Sequence, residues 1–231
     1  SAVRSLNAED GLLVGFTRIP TTKGWAVNWS RTVGCEEGNA VIHDVAIRFD
    51  GILLAGGTFD EKATFEREGR PPLELIAPTR SASFIALADP DSGEWLDAFV
   101  VPGMALRSMD VDDRGNIFVT GPGSLARRYS ATFQQLWDIQ PPNSTLSLDH
   151  IIVGRGEENP VVYVQGTFAR QANDVDVFVV QMARDTGDIR WNSPISSEGG
   201  HGERAGGIGI GPLGHLRVAV SSDGADLSVS D

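Results

Sequence analysis

Short stretches of alternating apolar and polar residues recur along this chain, each opened by a glycine or a proline. Alternation with a period of two is typical of a half-buried β-strand. The clearest copies are residues 11–17, 51–59, 115–121, 160–166 and 214–220. Their recurrence predicts a repeat protein, because a unit that cannot bury its apolar face alone must stack on its neighbours.

A hairpin pattern follows two of these strands. In residues 84–95 and 177–191, an alternating strand ends in an Asp-x-Gly turn and a tryptophan follows. Asp followed by Gly supplies the positive φ angles that tight hairpins need. Four of the five tryptophans are therefore predicted to share one structural role in the returning strand: Trp29, Trp95, Trp137 and Trp191.

A further short strand precedes each Asp-Gly turn, so the repeat reads as a meander of up to four antiparallel strands. These preceding strands are residues 45–49, 108–112, 150–153, 206–210 and, less clearly, 2–6. Meanders repeated around an axis give a β-propeller, whose blades pack face to face. We therefore predict an all-β chain folded as a β-propeller of about five antiparallel blades. A β-sandwich is the alternative, and the repeated glycine-strand-glycine pattern argues against it.

The repeat also carries a family resemblance. An Asp-Gly turn, an apolar strand ending in Gly-Thr-Phe, an Asp-x-Thr-Gly turn and a following Trp together resemble the SBBP and quinoprotein-like (PQQ-like) β-propeller repeats. The Gly-Thr-Phe tripeptides at residues 57–59 and 166–168 match best. The resemblance covers most of the chain and implies the propeller fold. It implies no particular activity, because such repeats serve unrelated roles.

The repeats divide the chain into five units within one predicted domain, residues 1–231. The units are residues 1–34, 35–103, 104–142, 143–199 and 200–231, with an insertion at 60–79 in the second. The last unit is too short for a complete second hairpin, and the first is also short. Two alternatives follow, namely a complete ring of five blades or an incomplete, truncated part of a longer ring.

Charge excludes one class of partner. The chain has 31 acidic against 19 basic residues, a net charge of -12, and it has no cluster of Lys and Arg. Phosphate backbones would repel such a surface, so nucleic acid is not an expected partner. No stretch of 18 apolar residues occurs either, and membrane insertion within these residues is not expected.

Cysteine and sequon usage bear on the compartment. Cys35 is the single cysteine, so it cannot form an internal disulfide, and no Cys or His neighbour stands at zinc spacing. We predict a buried, unreactive thiol. Asn28 and Asn143 each begin an Asn-x-Ser/Thr sequon. Glycosylation at these two asparagines, and with it a secreted, lumenal or extracellular location, is the resulting expectation. Because the chain begins with Ser1, we expect an upstream segment to have been removed.

One acidic segment resembles an oxygen-rich calcium loop. Asp110, Asp112 and Asp113 lie close together in residues 110–116, and Ca²⁺ takes six to eight oxygen ligands. Other repeats carry the same Asp-Gly turn without the extra carboxylates, and no Glu stands at the twelfth position of a calcium loop. A plain turn is therefore the favoured interpretation and Ca²⁺ the alternative. No other cofactor is predicted.

A set of polar residues is predicted at one mouth of the central channel. Residues just before the innermost strand of a blade face this opening, and here they include His43, Asp44, Arg107, Asp149, His150 and Arg204. Convergent carboxylates, imidazoles and guanidinium groups would form a funnel for an ion or for a partner's side chain. The alternative is that they pair with one another and only satisfy strand ends.

These patterns favour a non-catalytic interaction or scaffold domain. It would bind a protein or glycan partner through the funnel, the rim or the charged insertion, or associate with itself as a homo-oligomer. The alternative is part of a propeller enzyme, a glycan-active hydrolase or a quinone-dependent dehydrogenase, whose other blades lie outside this sequence. Binding is favoured because equivalent positions of the repeats supply no paired acid and base, metal-ligand cluster or activated nucleophile.

Overall fold

The computed structural model describes residues 10–19, 21, 23–35, 38–142, 146–154, 160–171, 174–197, 202–211, 215–222 and 227–229. All regular structure in this part of the chain is β-strand. Every strand pair is antiparallel. The chain divides into two compact units, residues 1–106 and 107–231.

The first unit contains six strands in two modules. Module one is a hairpin, β1 (Gly11–Arg18) and β2 (Trp25–Cys35). Module two is a four-stranded meander, β3 (Ala40–Ile47), β4 (Leu53–Phe65), β5 (Leu73–Ala88) and β6 (Trp95–Val101). The end of β2 also pairs with the end of β4, which joins the two modules into one sheet.

The second unit contains three modules. Module three is β7 (Ser108–Val111), β8 (Ile117–Gly121), β9 (Ser124–Tyr129) and β10 (Gln135–Ile139). Module four is β11 (Leu146–Val153), β12 (Val161–Gln171), β13 (Asp174–Ala183) and β14 (Ile189–Ser197), and module five is β15 (Glu203–Ile210) and β16 (Leu216–Ser222). A short β17 (Leu227–Val229) pairs with β14. The predicted all-β class and its antiparallel strand arrangement are confirmed.

In modules two and four the first strand has a bulge, and a glycine of the second strand lies beside it. His43 and Asp149 are the extra residues of these bulges. A Cβ on Gly57 would lie 2.0 Å from the carbonyl oxygen of Val41, and a Cβ on Gly166 would lie 2.1 Å from that of Ser147. In both cases the added Cβ would also lie 2.8 Å from an aromatic ring of the third strand. The glycine of the Gly-Thr-Phe tripeptide is therefore required by close backbone approach.

The segment predicted as an insertion is built into the sheet. Residues 60–79 continue β4 and β5 as a paired hairpin, with Ala63 and Phe65 buried in the core of the first unit. The Phe65 ring packs edge-on against Phe84 and against Trp95, each with a centroid separation of 5.3 Å. The charged residues lie on the other side, where Lys62 and Glu74 form an ion pair of 2.9 Å.

The complete modules contain two kinds of hairpin. Between first and second strands, the turn closes with a bond such as that from the Arg48 N–H to the Ile52 carbonyl, and in modules two and four the bulge lies in the strand before the turn. Between third and fourth strands in modules two and four, the turn closes with a bond such as that from the Asp89 N–H to the Glu94 carbonyl. The bulge then lies in the strand after the turn.

Module one has the features of a third and fourth strand. Its turn closes from the Ile19 N–H to the Gly24 carbonyl, and its bulge lies in β2, the strand after the turn. The prediction that residues 11–17 repeat the second strand is therefore wrong. The apolar alternation is the same in both strand classes, and the side of the turn on which the bulge lies distinguishes them.

The same comparison corrects the shared role of the tryptophans. The pair Arg18 and Trp25 matches the pair Ala88 and Trp95, so the counterpart of Trp95 in module one is Trp25 rather than Trp29. Trp137 and Trp191 each stand four residues after a positive-φ turn residue, whereas Trp95 stands two residues after one. They therefore occupy a different position, one pair further from the turn than Trp95.

Module five, by contrast, has the features of a first and second strand. Its turn closes from the Gly211 N–H to the His215 carbonyl, and its bulge, at Gly206, lies in β15 before the turn.

Alternate residues of module four pack in two directions. Val162 and Val164 of β12 join Phe178 and Met182 in a cluster with residues of module three. Their neighbours in the sequence belong to a second cluster, which packs on module five: Val161, Tyr163, Val177 and Val179. The apolar positions therefore fill both faces of this sheet, as its near-continuous hydrophobic runs require.

A buried arginine is the largest polar side chain in the core of the second unit. Arg184 follows β13 and is 0 % exposed. Its Nη1 donates to the Asp113 carboxylate at 3.2 Å, and its Nε lies 4.0 Å from an oxygen of Asp112, whose side chain is also buried. The Arg184 carbonyl accepts hydrogen bonds from Arg128 and Trp137. A turn of module four is thus tied to module three by polar contacts.

Candidate binding pocket

A pocket of about 540 Å³ opens in the second unit between modules four and five. It is formed by β11, β12 and β13 of module four and by β15 of module five. Its lining residues are Ser147, Asp149, Thr167, Val175, Gly202, Glu203, Arg204 and Ala205. The lining combines two carboxylates, a guanidinium group and two hydroxyls, so its chemistry suits a polar or charged ligand group.

The bulge in β11 helps to place Asp149 at this pocket. Leu148 pairs with Gly166 and His150 with Gln165, so Asp149 is the extra residue between them. A bulge turns a side chain away from the regular alternation of a strand. Ser147, two residues earlier, donates its hydroxyl to the Asp149 carboxylate at 2.8 Å. This bond holds the carboxylate in position.

The start of β15 supplies the opposite wall. Glu203 is only 2 % exposed, and its carboxylate accepts a hydrogen bond from the Ser222 hydroxyl of β16 at 3.2 Å. The next residue, Arg204, is exposed to solvent. The pocket therefore has a buried acidic wall and an exposed basic side chain at its edge.

The structure brings together two of the predicted mouth residues, Asp149 and Arg204, which line the same pocket. His150 lies beside Asp149 on β11 and pairs across the sheet with Gln165, but it is not among the lining residues. Arg107 is exposed at the start of module three, where its N–H donates to the Thr120 carbonyl.

The remaining predicted mouth residues belong to the first unit. His43 Nε2 lies 3.0 Å from the Thr58 hydroxyl. The Asp44 carboxylate accepts a hydrogen bond from the N–H of Val45 at 2.8 Å. A funnel made by all six residues therefore stays a prediction.

The lining residues that were not predicted include Ser147, Thr167 and Val175. The signal for two of them was available in the sequence. Ser147 stands two positions before Asp149, and Thr167 belongs to a Gly-Thr-Phe tripeptide and pairs directly with Ser147 across the sheet. Alternation along β11 combined with the hairpin register would have found both hydroxyls. Val175 lies on a different hairpin and has no such signal.

The three aspartates of the calcium hypothesis hold backbone and side-chain groups in place. One Asp112 oxygen accepts from the N–H groups of Arg114 and Asn116, and the other accepts from the Asn116 side chain. Asp110 accepts from the N–H of Val153 at 2.9 Å, and Asp113 pairs with Arg184. The described part of the chain holds no group of three or more His, Cys, Asp or Glu arranged for a metal ion. Calcium binding stays an untested hypothesis.

Replacing Asp112 by alanine is expected to lower the free energy of unfolding by about 2 kcal/mol, because three donors around a buried turn lose their acceptor. Urea denaturation measures this change. The matched control is Asp97→Ala, which removes an exposed carboxylate on β6 and should cost less than about 0.5 kcal/mol. The thermal midpoint of the wild type should not respond to added Ca²⁺, since both Asp112 oxygens already accept hydrogen bonds. A Ca²⁺-dependent rise that Asp112→Ala abolishes would support the calcium hypothesis instead.

One of the two predicted glycosylation sites lies within the described residues. Asn28 lies exposed on β2, where its side-chain amide donates to the Asp91 carbonyl at 3.0 Å. Asn143 lies outside the described residues.

Cys35 is buried, as predicted, and its thiol lies 3.0 Å from the Asp60 carbonyl oxygen. No helix in the described ranges is long and apolar enough to cross a bilayer.

Comparison with known proteins finds a structural similarity and no sequence match. No protein-family model matches the chain, and no curated protein matches it. Among solved structures, the chain is similar to the crystal structure of BamB from Moraxella catarrhalis, with 17 % sequence identity and a TM-score of 0.32. The similarity covers 79 % of this chain and 67 % of that one. A TM-score of this size does not by itself establish a shared fold.

Proposed function

We propose that this chain is a non-catalytic interaction domain built from β-propeller-type modules, and that it binds a protein partner at the pocket between modules four and five. The observation that carries the proposal is the convergence of Asp149, Glu203 and Arg204 on one open pocket. Two of these residues come from the start of β15 and one from the β11 bulge, so the charges lie on strands rather than on a mobile loop. Such a rigid arrangement suits recognition.

The ligand group that this lining favours is the basic side chain of a protein partner. Asp149 and Glu203 supply carboxylates that pair with Lys or Arg, and the net charge of -12 attracts basic surfaces over a longer range. Arg204 at the edge favours a segment that also carries a carboxylate. Among the described lining residues, none has an aromatic side chain. A glycan is therefore less well matched, since sugar rings commonly stack on aromatic faces.

The compartment is part of the same proposal. We place the protein outside the cytosol, as a secreted, lumenal or extracellular domain. This placement rests on the two sequons, and in particular on Asn28, whose side chain is exposed. Expression in a eukaryotic secretory pathway followed by glycosidase treatment and mass measurement tests it.

Replacing Asp149 by asparagine tests the pocket with little change of volume. The probes are short capped peptides, each with one Lys or Arg and one Glu, and isothermal titration calorimetry measures their affinity. The best-binding peptide should lose about tenfold in affinity, because a charge-assisted hydrogen bond becomes a neutral one. Raising the salt concentration should weaken the wild-type complex in the same direction.

The matched control is Asp188→Asn, which removes one negative charge from a hairpin turn of the same unit. It should leave the affinity within about twofold of wild type, since it changes only the long-range field. Equal losses in the two variants would show that net charge, and not the pocket, determines binding. The alternative, a glycan-active enzyme, is tested with an aryl glycoside, because the pocket also holds two carboxylates. Hydrolysis by the wild type that is lost in Asp149→Asn would support that alternative.

A further inference from the structure

Module one presents an apolar face to solvent. Leu12 and Phe16 on β1 are 53 % and 59 % exposed, and Val27 and Trp25 on β2 are 61 % and 68 % exposed. The register places Leu12, Phe16, Val27 and Trp25 on the same side of the hairpin. The opposite side, which includes Leu13, is buried in the core of the first unit. A contiguous apolar face of this kind is typical of a surface that another element covers.

Module five presents an apolar groove. A pocket of about 440 Å³ lies between β16 and the outer strands of module four, and it is lined by Val179, Trp191, Ser193, Ile195, Leu216, Val218 and Val220. Among the described strands, β16 pairs only with β15. Within the described strands, no neighbour pairs with its other edge, and an edge of this kind is a template for a further strand.

Three complete modules show what occupies this edge elsewhere in the chain. The second strands β4, β8 and β12 pair with the third strands β5, β9 and β13 respectively. Because β16 is a second strand by its turn and by the bulge in β15, the missing neighbour is a third strand. Among the described strands, one hairpin of third and fourth strands has an open edge, namely β1–β2, since β1 lies at the end of its sheet.

We propose that the β1–β2 hairpin of a second copy of this chain adds to the open edge of β16 and completes module five as a four-stranded blade. This is strand addition, in which backbone hydrogen bonds hold the strand and side-chain pockets select it. Each copy would offer its hairpin to one neighbour and its groove to another. Such a head-to-tail contact gives closed rings or open chains.

The internal repeat predicts the register of this pairing. In module four, Val162 pairs with Met182. Met182 is the last residue of the third strand that pairs with the fourth strand before the turn. By the positions of the bulge and the turn, Leu216 corresponds to Val162 and Arg18 to Met182. The expected pairs are therefore Leu216 with Arg18, Val218 with Phe16, and Val220 with Val14.

This register brings apolar faces together. Phe178 and Val180 of module four, the counterparts of Val14 and Phe16, are buried against module three. In the completed module five, Val14 and Phe16 would lie on the face that carries Leu216, Val218 and Val220. That face already packs on module four. The docked strand would thus extend an apolar interface that is present in the single chain, and it would cover side chains that are now exposed.

Light scattering across a range of protein concentrations tests the association. The mass should rise above the 24.7 kDa of one chain as concentration increases. Phe16→Asp and Val218→Asp should each weaken the association by about tenfold or more, because a carboxylate would be buried in the contact without a partner. The matched control is Ile76→Asp on β5, whose side chain is 73 % exposed and outside the proposed contact. A mass of one chain at every concentration, or equal losses in all three variants, would overturn the proposal.

Disulfide trapping tests the partner strand and the register. Chains carrying Phe16→Cys are mixed with chains carrying Val218→Cys, since opposite residues of neighbouring antiparallel strands lie at a Cα separation that a disulfide accepts. Mixed-disulfide dimers should form much faster than between Ile76→Cys and Val218→Cys chains, with buried Cys35 left in place. A mixed dimer formed no faster than this control would overturn the proposal. A chain carrying both Phe16→Cys and Val218→Cys that cross-links only within itself when dilute would overturn the role of a second copy.

Discussion

Replacing Trp95 by alanine is expected to lower the free energy of unfolding by about 3–5 kcal/mol, the range for removing a large buried aromatic side chain. Trp95 is 0 % exposed, and its ring packs edge-on against Phe65. Its indole N–H donates to the Thr32 carbonyl at 3.3 Å, which links β6 of module two to β2 of module one. The substitution would therefore leave both a cavity and an unpaired carbonyl. Urea denaturation followed by circular dichroism measures the change.

The matched control for Trp95 is its counterpart in module one. Trp25 occupies the same hairpin position, yet its side chain is 68 % exposed. Trp25→Ala should change the free energy of unfolding by less than about 0.5 kcal/mol when measured on dilute protein. Similar losses in the two variants would contradict the burial that distinguishes them.

Replacing Arg184 by alanine is expected to cost about 3–5 kcal/mol, the range for removing one partner of a buried ion pair. The remaining carboxylate of Asp112 has a fully buried side chain and would lose the nearby positive charge. The measurement is again urea denaturation. The loss should be smaller in Asp112→Asn/Arg184→Ala than in Arg184→Ala alone, because no unpaired charge then remains buried.

The control for Arg184 lies in the same group of charges. Arg114 is 3.9 Å from the Asp185 carboxylate, and about half of its side chain is exposed. Surface pairs of this kind contribute about 0–1 kcal/mol, so Arg114→Ala should have a small effect. A large effect of Arg114→Ala with a small effect of Arg184→Ala would show that the network is anchored at the surface instead.

The sequence predicted the strands and the turns between them because both signals are local. Alternation identified β4, β8, β12 and β16, and Asp-Gly or Asp-x-Gly identified the turns at residues 50–51, 91–93, 113–115 and 185–187. The strand class of β1 was not predictable from the same signal. Second and third strands show equal alternation, and their hairpins differ in the bulges, which lie before the turn in one case and after it in the other. Those differences depend on hydrogen bonds across the hairpin.

The candidate pocket was predictable only in part. Asp149 and Arg204 were predicted from their positions next to the alternating segments 150–153 and 206–210, although the structure places them inside the longer strands β11 and β15. Val175 reaches the same pocket from β13, and Arg184 is buried although arginine is rarely found in a core. Both depend on contacts between residues that are distant in the sequence, namely the packing of module four against modules three and five. No local pattern reports such contacts.

The two-sided packing of β12 has a mechanical consequence. Val162 and Val164 point into one apolar layer, and Val161 and Tyr163 point into the next. A displacement of this single backbone must therefore disturb both layers at once, because closely packed side chains leave no slack between them. The second unit should accordingly unfold in one cooperative transition, without separate unfolding of its sheets.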